Sequence, residues 1–104
     1  MTTALHLRIR GTVTSAVCRT TTAGLPLVEV YLTDPTGQEV RARHTYPSGT
    51  PASHYAASAL AKRLRGQVAE LEATAPKFRA RRIDCDAAHI TLPYEQPTTR
   101  KDLE

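Results

Sequence analysis

The chain has 104 residues, 40% of them hydrophobic, and a formal net charge of +4. That length suits one domain and is too short for two, and periodic apolar runs argue against a disordered chain. The positive charge points to an anionic partner, nucleic acid or an acidic protein surface, and no run approaches the roughly 18 apolar residues of a membrane span.

Leu5 to Val13 alternates Leu5, Leu7, Ile9 and Val13 with His6, Arg8, Arg10 and Thr12. A period of two predicts a half-buried strand. Cys18 to Gly24 reads as a polar, Thr-rich turn. Pro26 to Thr33 is the second strand, with Val28, Val30 and Leu32 on one face and Leu27, Glu29, Tyr31 and Thr33 on the other. Asp34-Pro35-Thr36-Gly37 is turn chemistry, since proline presets φ and glycine permits a positive one. Glu39 to Tyr46 follows as the third strand of a hairpin.

Thr50 before Pro51 reads as an N-cap with proline at the first helical position. The helix is expected from Pro51 to Arg65, with Ala56, Ala57, Leu60, Ala61 and Leu64 as its apolar stripe and Gly66 just past its end. Gln67 to Thr74 is the fourth strand; Val68 and Leu71 break strict alternation, so an irregularity is expected there. Pro76 to Arg82 reads as a basic loop. Ile83 to Leu92 is the fifth strand, where a change of parity calls for a bulge near Ala87-Ala88. Pro93 begins a polar, loose tail.

The order is β-β-β-α-β-β, that of a five-stranded OB-fold barrel: all-β with one helix. A small split β-sheet packed on the helix is the competing fold. Residues 1–93 form the expected domain and 94–104 a flexible C-terminal tail. Cys18 and Cys85 lack metal-type spacing and read as two free thiols, with a disulfide or a metal as the alternative. MTTALHLRIRG has no apolar run to serve as a secretory signal, so a cytoplasmic protein is expected.

Three segments carry a family resemblance. Leu7 to Val13 is similar to a first-strand pattern of apolar-x-Gly-x-Val. Ala23-Gly24-Leu25-Pro26-Leu27-Val28-Glu29-Val30-Tyr31-Leu32 looks like a second strand. Leu60-Ala61-Lys62-Arg63-Leu64-Arg65-Gly66-Gln67-Val68-Ala69-Glu70-Leu71 looks like a helix end, glycine and fourth strand. In this order they resemble bacterial single-strand DNA-binding proteins and their short relative, primosomal replication protein N, over roughly residues 5 to 92. The resemblance implies an OB-fold, single-stranded DNA as partner, no cofactor, and a homo-oligomer (dimer or tetramer) in which the first strand pairs with its copy. There are departures. Glu72-Ala73 stands where the family usually has glycine, tryptophan is absent, and the chain ends Arg100-Lys101-Asp102-Leu103-Glu104 rather than in an acidic, phenylalanine-ending tail. A plasmid, phage or integrative-element variant, or a primosome accessory protein of DNA replication, fits these departures better than a housekeeping member.

Sequence-tolerant binding of a single strand needs cations along the phosphates and flat side chains under the bases. The candidate cations are Arg8, Arg10, Arg41, Arg43, Lys77, Arg79, Arg81 and Arg82. The candidate stackers are Tyr31, Tyr46, Tyr55 and Phe78; His44, which shares the parity of Val40 and Ala42, reads as partly buried. OB-fold ligands lie across the second and third strands between the first-second and fourth-fifth loops, which favours Tyr31, Arg41, Arg43 and Lys77 to Arg82. Each candidate has a plainer reading. Phe78 packs on the barrel, Arg41 and Arg43 make cross-strand ion pairs with Glu29 and Glu70, the tyrosines pack, and Arg8 and Arg10 serve a subunit interface.

No HExxH, CxxC or P-loop arrangement is present, and Asp84 and Asp86 read as exposed strand residues rather than metal ligands. A non-catalytic DNA-binding protein is expected. The alternative is an OB-fold adaptor in a replication or conjugation complex, with weak or no DNA binding.

Overall fold

The computed structural model describes residues 6–93. Five strands close into one barrel: β1 (His6–Thr20), β2 (Pro26–Thr33), β3 (Glu39–Thr45), β4 (Val68–Phe78) and β5 (Arg82–Thr91). They lie in the order β1-β2-β3-β5-β4, with β4 returning to β1. Helix α1 (Pro51–Leu64) sits between β3 and β4 in sequence and packs on β1 and β2. All neighbours are antiparallel except β3 and β5, which run parallel. This is the OB-fold arrangement, and closure removes the open sheet edges that the split-sheet alternative would leave.

β1 is longer than its alternating pattern predicts. Its first half pairs with β4 and its second half with β2. Gly11 sits at the change-over. A Cβ there would lie 2.5 Å from the carbonyl oxygen of Thr33 and 2.7 Å from Leu32 Cδ1, so only glycine permits the close approach. Thr14 is the extra residue of a bulge between Val13 and Ser15, and its hydroxyl donates to the Tyr31 carbonyl at 3.2 Å. The expected turn at Cys18 to Gly24 is corrected: Cys18, Arg19 and Thr20 still pair with Val28, Leu27 and Pro26. Valine and threonine suit a strand, and their polar surroundings hid that preference. The turn proper starts at Thr21, whose backbone N–H donates to Leu25 O at 2.9 Å.

The core is small-residue and aliphatic. Val28, Val30 and Leu32 of β2 face Val40 and Ala42 of β3, Ala69, Leu71 and Ala73 of β4, and Cys85 and Ala87 of β5. Ala57, Ala61 and Leu64 bring α1 against this interior, while Ala56, assigned to the stripe by periodicity, is exposed. The alanines let the helix approach closely, and Leu64 fills the space they leave. Thr50 caps α1 by accepting from the Ser53 N–H at 3.2 Å, Pro51 begins it, and Gly66 ends it with φ +75°. Arg65, expected as the last helical residue, is the C-cap, and its Nε donates to Ala16 O at 3.0 Å.

Two bulges shape the far side. On β5, Glu72 pairs with His89 and Ala73 with Ala87, so Ala88 is the extra residue, at the expected place. On β4, alternation is carried by Ala69, Leu71 and Ala73, and the irregularity lies further on. Thr74 pairs with Asp86 and Lys77 with Asp84, leaving Ala75 and Pro76 opposite Cys85 alone. Ala75 has φ +51°, the left-handed region. The expected Pro76 to Arg82 loop is therefore corrected. Pro76, Lys77 and Phe78 belong to β4, because a bulge accommodates a proline that a regular strand would reject. Only residues 79–81 are loop. The tail at 94–104 lies outside the described residues.

Candidate nucleic-acid interface

The outer face of β2, β3 and β5 is a lattice of opposite charges set by register. Tyr31 stands beside Arg41 and Glu29 beside Arg43. Across the parallel junction, Arg41 stands beside Asp84 and Arg43 beside Asp86. β4 adds Lys77 through its bulge. A regular strand would give Lys77 the inward parity of Ala73; one extra residue turns it outward, next to Asp84. The result is a groove of about 360 Å³ whose lining includes Arg41, Arg43, Lys77, Arg79, Asp84 and Asp86.

The ion pairs run in series. Arg19 Nε donates to Glu29 Oε1 at 3.1 Å, and Arg41 Nε lies 3.7 Å from Glu29 Oε2 and 3.9 Å from Asp84 Oδ1. Arg79 Nε donates to Asp84 Oδ2 at 3.2 Å, and Arg82 Nε lies 2.8 Å from Asp84 Oδ1. Glu29 is 8% exposed, a carboxylate held under its two arginines. Burial alone pushes the Asp84 carboxyl up, but the Arg79 hydrogen bond and the charges of Arg82 and Arg41 outweigh it and hold it below its ordinary value.

On the other flank of the Tyr31–Arg41 pair lies a second hollow, lined by Thr14, Ser15, Tyr31, Leu32, Thr33, Glu39 and Val40. At the lip of the barrel Phe78 is 67% exposed, so it does not tuck onto the core. Arg81 is exposed on the short β4–β5 loop, where its carbonyl accepts from Gln38 Nε2 at 3.4 Å.

The structure thus gathers Arg41, Arg43, Lys77 and Arg79 in one groove, with Arg82 tied to it through Asp84 and Tyr31 beside Arg41. Phe78, opposite Ile83 at the end of β4, and the exposed Arg81 of the β4–β5 loop are not among the residues that line it. It separates the others. Arg8 and Arg10 lie on the β1–β4 wall opposite Glu72 and Glu70. Glu70 is therefore no partner for Arg41 or Arg43, since the long-range register puts it across the barrel. Tyr46 is half-buried against the core and meets His44 edge-on, with ring centroids 5.2 Å apart; burial pushes its phenol up. His44 is partly buried, as expected, and its Nδ1 lies 2.8 Å from Ala87 O, so that nitrogen carries the proton. Tyr55 is exposed on α1, away from the groove residues.

Sequence reasoning missed Arg19 and undervalued Asp84. Arg19 lies in the Thr-rich stretch whose composition suits a turn, although it pairs with Leu27 as part of β1. Asp84 gains its importance from the β3–β5 pairing, which no local pattern announces. Among the described residues, no group of three His, Cys, Asp or Glu side chains is arranged to hold a metal ion, and no helix is long and apolar enough to cross a membrane. Compared with known protein families and with curated proteins, the sequence matches none.

Proposed function

We propose that the protein binds single-stranded DNA, without catalysis, across the outer face of β2, β3 and β5. One observation carries this reading. Arg41, Arg43, Lys77 and Arg79 converge from β3, β4 and the β4–β5 loop on a single groove, and Phe78, next to Lys77 at the end of β4, is exposed. The cations neutralise successive phosphates and Phe78 stacks on a base, each stacked base contributing about 1–3 kcal/mol. With no tryptophan in the chain, arginine carries more of the grip than stacking does. A cytoplasmic homo-oligomer serving replication, restart or mobile-element DNA fits the resemblance of the three segments.

The competing reading is an OB-fold adaptor, and the ion pairs of Arg41 and Arg79 with Glu29 and Asp84 favour it, because engaged arginines are less available to phosphate. Fluorescence anisotropy with labelled oligo-dT separates the two. Binding tighter than micromolar at moderate salt supports the DNA reading. No binding, with a protein partner retained in a pull-down, supports the adaptor.

A further inference from the structure

We propose that Asp84 is a resident anion in a phosphate-binding site, and that a phosphate group of the ligand displaces it from Arg79 and Arg82. This rests on the reading of the groove as a nucleic-acid interface and adds how the site is held when empty of ligand.

Asp84 gathers guanidinium groups from three places: Arg41 on β3, Arg79 on the β4–β5 loop and Arg82 at the start of β5. One carboxylate cannot neutralise three cations. Nor does it satisfy all of them. The Nε atoms of Arg41 and Arg82 are buried without a hydrogen-bond partner, and so is Asp84 Oδ1. The 2.8 Å approach of Arg82 to that oxygen is close but misaligned. A phosphodiester matches the planar fork of arginine with two non-bridging oxygens set wider apart than those of a carboxylate, and a phosphate chain offers several such groups in succession.

The arginines differ in freedom. Arg41 is flanked by Glu29 on its other side, and Glu29 is itself anchored by Arg19. It stays in place. Arg79 has a side chain 60% exposed on a loop of residues 79–81, so it follows an incoming phosphate at little cost. Asp84 therefore keeps the arginines gathered and competes with single small anions. A polyvalent phosphate chain overcomes it.

The test compares wild type with Asp84→Asn, using tripolyphosphate and labelled oligo-dT as separate probes at low salt. Removing the resident charge tightens both by about tenfold, a modest share of the unscreened repulsion between like charges at this range. Adding Arg79→Ala to Asp84→Asn cancels most of the gain. Equal or weaker binding of both probes by a folded Asp84→Asn protein, with wild type still binding oligo-dT, overturns the resident-anion inference and leaves the DNA reading standing. A gain for tripolyphosphate with no oligo-dT binding by either protein does the reverse. If Asp84→Asn does not fold, the Nε–H resonances of Arg79 and Arg82 in wild type decide. They move on saturation with tripolyphosphate while that of Arg8 stays; unmoved Arg79 and Arg82 signals overturn the proposal.

Discussion

Lys77 stands opposite Asp84 on the outer face of the barrel, although Ala73, four residues earlier on the same strand, points into the core. Strict alternation gives both the same side. The two-for-one pairing of Ala75 and Pro76 against Cys85 reverses the parity and delivers a cation to the groove.

That reversal depends on Ala75 holding φ +51° with its side chain exposed. Ala75→Gly relieves a left-handed strain of about 1 kcal/mol, partly offset by glycine's greater freedom when unfolded. Ala75→Val adds β-branched strain and destabilises by about 1–2 kcal/mol. Chemical denaturation checks the order Gly ≥ Ala > Val. A valine variant as stable as wild type contradicts the strained bulge.

Gly11 is a packing requirement rather than a turn. Its absent Cβ leaves room for the backbone of Thr33 where β1 passes from β4 to β2. Gly11→Ala forces a backbone shift and costs about 1–3 kcal/mol, on the scale of overpacking a core. A denaturation midpoint equal to that of wild type would sink this explanation of barrel closure.

Much of the fold was legible because its elements are short and locally consistent. Val28, Val30 and Leu32 announce β2, Thr50-Pro51 and Gly66 bracket α1, and the parity change around Ala87-Ala88 marks the β5 bulge. What stayed hidden depends on pairing at a distance. The end of β1 is polar and strand-like only because β2 lies beside it. Pro76 looks like a loop residue until the bulge is seen. Glu29 and Glu70 are both candidate partners for Arg41 until the barrel register puts Glu29 on the adjacent strand and Glu70 on the far wall, and Asp84, read from the sequence as an exposed strand residue, comes beside Arg41 only through the β3–β5 pairing. Lys77 and Arg79 are legible as a basic segment, and Arg41 and Arg43 as one face of a strand; their assembly around one carboxylate is not.

The carboxyl of Asp84 is held below its ordinary 3.8, against burial, by the Arg79 hydrogen bond and the charges of Arg82 and Arg41. A value depressed in the folded state contributes stability that is complete above the unfolded value and is lost as pH falls through the folded one. Asp34, whose carboxylate accepts from the Thr36 hydroxyl and the Gln38 N–H, is lowered as well and acts in the same window. Stability should fall below about pH 4, the ordinary carboxylate range. Asp84→Asn should be less stable than wild type at neutral pH and show a shallower acid limb. Identical acid limbs in urea denaturation across pH would contradict the pairing.

The two cysteines should differ sharply in reactivity. Cys18 is exposed. Cys85 is 6% exposed, and burial, with the charges of Asp86 and Asp84, pushes its thiol up to about 11. The thiolate is the reactive form. A thiol reagent at pH 8 should therefore modify Cys18 promptly and Cys85 only on unfolding. Prompt modification of both in the native protein contradicts the buried position of Cys85.

The most direct test of the central claim is the salt dependence of oligo-dT binding. Four groove cations engaged with phosphates predict a log-log slope of about −3, from roughly −0.7 per contact. Replacing Arg43 and Lys77 together with alanine should weaken binding and reduce the slope to about half, while leaving the melting temperature near that of wild type. Replacing Arg8, on the opposite wall, should change neither. A wild-type protein whose affinity is flat with salt, or an Arg43/Lys77 variant that binds as wild type does, would contradict the assignment of this groove to single-stranded DNA.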